Sequence, residues 1–413
     1  MRFFTALLLL TFFCDVANAQ RICSTQSYIE NNPSTQNIGA TMLSKPGRDT
    51  VAGEIIVIPV VVHVVYKNSN ENISDAQIIS QMEVLNLDFG RLNSDTGNTP
   101  AAFRLSAANC RIRFRLAMVD PQGRKTSGII RKQTTKNYFI SDDAVKFSAA
   151  GGSNAWDATR YLNIWVCNLG NQELGYASVP GSDLNKDGVV IAFNAFGSKG
   201  SLRAGFNKGR TATHEIGHWL GLKHIWGDRY CGDDGIDDTP PQKSYNQGCP
   251  SYPRTTECSR NSHGDMFMNF MDYANDDCMN IFTKGQCLRM RSQFASGALR
   301  NGMLDPTAFD TANAAPAVPM PEAGMPVPMT TLKTGFSIGP NPVHEKTTLR
   351  AEDGSDLAGR KFELMDCQGR RVLVFTALSD VHSIDLSLLH PGTYFLRNTS
   401  AKDFKPVRII KLP

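Results

Sequence analysis

The sequence predicts a mixed α/β (α+β) domain around a twisted sheet, followed by a smaller all-β domain. Three observations carry this. Residues 55–65 (IIVIPVVVHVV) are a nearly continuous β-branched run, the mark of a strand buried on both faces. A little further on, Ile78, Met82, Leu85 and Phe89 share one face of a helix. Beyond residue 336, short apolar alternations are broken at Pro340-Asn341-Pro342, Gln368-Gly369 and Pro391-Gly392, a pattern of short strands and turns.

The elements follow in chain order. Arg2, an apolar stretch over 3–13 and Ala17-Asn18-Ala19 mark 1–19 as a signal peptide, too short to span a bilayer. Residues 20–53 are polar and aperiodic, an irregular segment. Ser74 opens the first long helix, with Gln77 as its capping-box partner. Residues 110–117 (CRIRFRLA) alternate apolar with Arg, as a half-exposed strand does. Residues 161–166 and 189–193 are further strands, and a long helix should begin near Thr211. The stretch Asp183–Gly188 resembles the start of a calcium loop, but position 12 would be Asn194, so it reads as a turn leading into a strand. Residues 301–335 are an Ala/Pro/Met-rich linker, and 336–413 form the all-β domain.

Composition narrows the class. At 413 residues the chain exceeds one ordinary domain, and 41% hydrophobic content excludes wholesale disorder. A net charge of +4, from 43 basic and 39 acidic residues, provides no field for nucleic acid. Ten cysteines point to disulfides and an oxidising compartment. No later segment is long and apolar enough to span a membrane, so the mature protein should carry no transmembrane segment.

The chemistry concentrates in His214-Glu215-Ile216-Gly217-His218-Trp219-Leu220-Gly221-Leu222-Lys223-His224. On a helix, His214 and His218 share a face and can grip one ion, while Glu215 lies beside it. Gly221 lets the helix stop in a left-handed turn, bringing His224 round as third ligand. Three imidazoles leave a fourth position open, the catalytic pattern for zinc. Zinc brings the pKa of bound water towards about 7, and Glu215 is placed to act as general base. His63 reads as a strand histidine with a local partner, and His263, His344, His382 and His390 lack ligand spacing.

Other residues add to this. Asp233, Asp234, Asp237 and Asp238 crowd one loop, which a hard oxygen-loving cation such as calcium would relieve. Cys23 stands alone in the polar segment, and its thiolate could fill the open zinc position. Residues 20–53 would then be a pro-segment, removed by a cut between Cys23 and Glu54, with Arg48 the obvious basic residue.

The motif H-E-x-x-H-x-x-G-x-x-H, followed by Asn269-Phe270-Met271-Asp272-Tyr273, resembles the metzincin metallopeptidases. Together with IPVVVHVVY, YLNIWVCNL and HEIGHWLGLKHIWGD, it resembles their pappalysin family, in particular the bacterial ulilysin/mirolysin branch, over roughly residues 54–300. The resemblance implies an endopeptidase with a zinc helix, a Met-turn and a cleft between a sheet-bearing and a helical half. It implies Met271 as an apolar floor under zinc and Tyr273 as a donor to the tetrahedral intermediate. It also implies calcium held by Asp234, Thr239 and the Asp237 backbone, the disulfide pairs Cys231–Cys258 and Cys249–Cys278, and latency through Cys23. Cys110, Cys167, Cys287 and Cys367 stay unassigned. Relatives that cut before Arg make Asp277, beside Asp276, the expected specificity residue, because a carboxylate there would pair with a basic side chain. The strand at 189–193 is the expected edge for pairing with an extended peptide.

The C-terminal pieces Gly339-Pro340-Asn341-Pro342, 366–372 (DCQGRRV), 391–397 (PGTYFLR) and Arg408-Ile409-Ile410-Lys411 resemble a type IX secretion sorting domain. That implies an immunoglobulin-like sandwich and export across an outer membrane, to the medium or the cell surface. The expected protein is thus a secreted, zinc-dependent endopeptidase made as a latent zymogen. The rival is a secreted binding or adhesion protein with a non-catalytic zinc site, which would have no need of Glu215.

Overall fold

The computed structural model describes residues 20–31, 53–259, 263–312, 314, 336–339, 341–351, 360–366, 370–377, 381–387, 389–398 and 407–412. The signal peptide, Arg48, most of the linker and Cys367 lie outside the described residues. The chain divides into two compact units, Met1–Pro319 and Met320–Pro413.

The first unit is built on a six-stranded sheet. Its strands are β1 (Ile56–Tyr66), β2 (Ile112–Leu116), β3 (Ile129–Gln133), β4 (Leu162–Cys167), β5 (Gly175–Ala177) and β6 (Val189–Ala192). β1 is parallel to β4 on one side and, on the other, to β2 along its first half and β3 along its second. β6 continues the sheet parallel to β4, and β5 closes it antiparallel to β6. The β-branched run becomes β1 because both of its faces are covered: Ile58, Val60, Val61, Val62 and Val64 are fully buried. Burying each such side chain stabilises the fold by about 1.5–3 kcal/mol. His63 is buried in the same strand, hydrogen-bonded to Ser153 and Asn163 and stacked on Trp165, a strand histidine as the sequence suggested.

Among the described residues, this unit has four α-helices: α1 (Thr25–Asn31), α2 (Asp75–Phe89), α3 (Arg210–Trp219) and α4 (Lys284–Ser292). Ser74 caps α2 by accepting the Gln77 N–H. The expected reciprocal capping box does not form there. The Gln77 side chain instead donates to the carbonyls of Phe193 and Phe196, both at 2.9 Å, and ties α2 to the loop after β6. The true capping box is at α4, between Thr283 and Gln286.

Two further expectations need correction. The zinc-motif helix is short, ten residues beginning at Arg210, because Gly221 ends it. The free edge of the sheet on this side is β5, since residues 189–192 are paired on both sides. The turn at Asp183–Gly188 leads into β6 as expected. Its buried Asp187 accepts from Ser178, Trp219 and Arg300, a structural role.

Among the described residues, the second unit holds a four-stranded sheet and a three-stranded sheet, whose paired strands are antiparallel. Phe362, Leu364, Leu396 and Ile409 of the first sheet share a core with Leu349 and Ile384 of the second, as an immunoglobulin-like sandwich requires.

Candidate active site

Every residue of α3 is buried, so its histidines project into protein. Its C-terminus is a Schellman motif: Leu222 N–H bonds the Gly217 carbonyl, and Gly221 N–H bonds that of His218. Gly221 takes φ +88°, which a side chain would resist. This turn carries His224 back towards His218 and His214.

The three Nε2 atoms converge at separations of 3.3, 3.2 and 3.0 Å. Three nitrogens bound at ~2.0–2.1 Å to one tetrahedral ion would lie about 3.3–3.4 Å apart, so the set fits zinc. Each Nδ1 is held from behind, by the carbonyl of Phe270 at 2.7 Å, that of Leu222 at 3.0 Å and the Asp228 carboxylate at 2.5 Å. Such partners fix the tautomer that leaves Nε2 free for metal. Burial lowers the pKa of His214 well below its ordinary value and that of His218 to about 3, keeping both imidazoles neutral.

Met271 is fully buried, with its sulfur against Gly217 of α3. A Cβ on Gly217 would stand 2.4 Å from the Met271 Sδ, so the helix presents a glycine where the Met-turn packs against it. Tyr273 lies 4.9 Å from the His224 ring, and Trp226 stacks flat on His224 at 4.4 Å.

Residues 21–28 lie against this site. Cys23 forms a parallel bridge to Gly175 of β5, with Ser24 N–H to Gly175 carbonyl at 3.0 Å and Leu174 N–H to Ile22 carbonyl at 2.9 Å. Cys23, His214, His218 and His224 gather their ligand atoms within 4.8 Å of one another. The Cys23 Sγ lies 3.4 Å from Glu215 Oε2, which also accepts from the Thr25 hydroxyl at 2.9 Å. Burial pushes the Glu215 carboxyl up to about 7, opposed by these two hydrogen bonds. The Tyr273 hydroxyl donates to the Cys23 carbonyl at 3.2 Å.

Arg21 reaches Asp276 with an Nη2–Oδ1 distance of 2.6 Å. The other Asp276 oxygen accepts the N–H groups of Lys208 and Arg210 at the start of α3, where the helix dipole favours an anion. Asp277, to which the sequence assigned specificity, is 59% exposed and paired with Lys208. Sequence could not separate these adjacent acids, because loop geometry decides which side chain turns inward. Sequence reasoning also passed over Arg21, Thr25, Trp226 and Asp228. Arg21 had a usable signal, a charge two residues from Cys23.

The disulfides Cys231–Cys258 and Cys249–Cys278 form as the family resemblance implied, and Cys110–Cys287 joins the start of β2 to α4. Cys167 is buried and free. In the acidic loop, Asp234 is buried with Oδ1 bound by Thr239 and Ile236, while Oδ2 has no hydrogen-bond partner. Asp237 is exposed, and Asp238 accepts from Thr283 and Gly285 at the start of α4.

A convergent histidine triad, an adjacent buried carboxylate and a buried Met271 packed on the zinc-motif helix mark a metallopeptidase of the metzincin class. Comparison with known proteins gives the family. Residues 148–295 match the peptidase family model described as pregnancy-associated plasma protein-A, and 337–411 match a secretion system C-terminal sorting domain. An extracellular metalloprotease of Verticillium alfalfae is 30% identical over 281 residues, covering 63% of this chain and 86% of the relative. The Tannerella forsythia mature mirolysin structure with a cleaved peptide is 56% identical, with TM-score 0.61, covering 62% of this chain and 97% of that one. A structure of a promirolysin variant from the same organism is 50% identical, with TM-score 0.66, covering 70% and 99%. The chain belongs to the pappalysin family. It is a secreted or cell-surface zinc metalloendopeptidase, acting on protein substrates and addressed by its sorting domain to the type IX secretion machinery. Among the described residues, no helix is long and apolar enough to cross a membrane.

Proposed function

We propose that the chain is made as a latent precursor with residues 20–53 as its pro-segment, held at the active site through residues 21–28, and that removal of this segment yields an endopeptidase favouring Arg after the scissile bond. The divisions are a signal peptide at 1–19, a pro-segment at 20–53, a catalytic domain from 54, a linker ending at 335 and a sorting domain at 336–413; the catalytic domain runs past 300, because Met303 and Ala308 are buried in its cores. The observation that carries the reading is the double anchor of the N-terminal segment, Cys23 against the histidine triad and Arg21 on Asp276.

His214, His218 and His224 would hold zinc, which when bound polarises a water and the substrate carbonyl. With Cys23 and Thr25 gone, Glu215 stands free beside that position. Its carboxylate, one residue from the ligand His214, would accept a proton from the attacking water and hand it to the leaving nitrogen. The Tyr273 hydroxyl, which donates to the Cys23 carbonyl in the precursor, would donate to the substrate carbonyl as it gains charge. Asp276, freed of Arg21, would receive a substrate guanidinium in the same charge-assisted pair. The Asp234–Thr239 loop would bind calcium, with the unpartnered Asp234 oxygen as its anchoring ligand and the Asp237 backbone and Thr239 completing it.

The test is a digest of proteome-derived peptides by the matured protein, with the cut sites sequenced by mass spectrometry. Arg should be enriched directly after the cut, a chelator should abolish cleavage, and the precursor should show a lag. Cuts without Arg enrichment would remove the specificity reading, and a precursor active from the start would remove latency.

A further inference from the structure

The N-terminal segment has a third anchor, on the far side of Cys23 from Arg21. Tyr28 of α1 is buried, and its hydroxyl donates to Asp143 Oδ2 at 2.9 Å. Its ring lies 5.3 Å from that of Tyr176, in the edge strand β5. The receptor beneath it belongs wholly to the enzyme body. Lys146, itself fully buried, pairs with Asp143 at 2.9 Å and donates to the Lys186 carbonyl at 2.7 Å. The Lys146 ammonium sits 5.0 Å from the Tyr176 ring centre, 5.5 Å from that of Trp165 and 5.1 Å from that of Tyr28. Tyr176 is fully buried, and its hydroxyl has no hydrogen-bond partner.

A buried ammonium is costly unless paired and faced by aromatic rings, so Asp143, Tyr176 and Trp165 hold Lys146 whether or not Tyr28 is present. What leaves with the pro-segment is one ring with one hydroxyl. The vacated place has an aromatic wall on the edge strand and a carboxylate oxygen facing it. We propose that in the mature enzyme Asp143, Lys146 and Tyr176 form a substrate subsite for a tyrosine side chain.

This rests on the reading that Asp276 takes the Arg after the scissile bond. Arg21 and Tyr28 then flank Cys23, so the Tyr28 receptor serves residues before that bond. From Cys23 to Tyr28 the chain advances two extended residues at ~3.3 Å and three helical ones at ~1.5 Å, about 11 Å in all. An extended substrate covers that in about three residues.

The test uses peptides with Arg after the scissile bond and Tyr, Phe or Ala at the second, third or fourth position before it. For the mature wild-type enzyme, kcat/KM should favour Tyr over Phe about tenfold near the third position, because only Tyr donates to the Asp143 carboxylate. Phe should exceed Ala. In Asp143→Asn, which keeps a residue tolerant of the left-handed φ of +67° there, the Tyr-to-Phe ratio should fall towards one. An active enzyme that cuts Tyr, Phe and Ala peptides equally would overturn this inference alone, as would an unchanged ratio in the variant. The wild-type comparison depends on no folded variant. Absence of any cut before Arg would overturn the underlying reading, and this one with it.

Discussion

Arg21 and Asp276, 255 residues apart in sequence, form an ion pair at 2.6 Å with side chains 1% and 0% exposed. It bridges the N-terminal segment and the loop after Met271. The guanidinium also donates to the Ala274 carbonyl at 3.3 Å, so both partners are hydrogen-bonded where water is excluded.

Breaking a buried pair from one side leaves the other charge uncompensated, at roughly 3–5 kcal/mol. Arg21→Ala should therefore lower the precursor's thermal midpoint and shorten its activation lag. Asp276→Asn in the mature enzyme should reduce the preference for Arg at least tenfold, read from paired Arg and Ala peptides, whereas Asp277→Ala should leave it intact. Loss of preference in the Asp277 variant would reverse the assignment.

Glu215 and Cys23 test the centre itself. Glu215→Ala should lower kcat by about 10²–10⁴-fold, the usual span for a general base, while zinc measured by atomic absorption stays stoichiometric. Cys23→Ala should leave the matured enzyme's activity unchanged and remove most of the precursor's lag. A lag of the same length would sink the role of that thiol.

The acidic loop predicts a pH-dependent response to calcium. Burial raises the Asp234 carboxyl to about 7 from its unfolded value of 3.8. Without an ion, its contribution to stability is therefore full below the unfolded value and is lost as pH rises through about 7. Calcium needs the ionised form, so it must displace a proton at about pH 5.5 but not at about pH 8. The rise in thermal midpoint on adding calcium should be larger at the higher pH, by the equivalent of about 2 kcal/mol. An equal rise at both values, or none, would clear Asp234 as a ligand.

Gly217 predicts a packing effect next to the metal. With Met271 Sδ 2.4 Å from the position of an added Cβ, Gly217→Ala must displace the Met-turn or the helix. Overpacking of this kind costs roughly 1–3 kcal/mol. The thermal midpoint should fall, and zinc affinity with it, because His214 is held by the carbonyl of Phe270, the residue before Met271. Paired melting curves and zinc titrations would show both.

The sequence by itself singled out the three converging histidines, Glu215 beside them, the glycine turn and the Met271 stretch. All lie in short stretches where residue type and helical spacing fix the geometry locally. It also showed β1, because an unbroken β-branched run suits only a strand covered on both faces. Tertiary structure alone decided which adjacent acid turned inward, which strand formed the free edge, where the Gln77 side chain donated and how Cys110 paired. Each of these depends on contacts between residues far apart in the chain. Asp276 differs from Asp277 only because Arg21 and the start of α3 meet on one side of that loop. Val189–Ala192 lies inside the sheet only because the three residues of β5, too few to stand out by pattern, pair along its outer side.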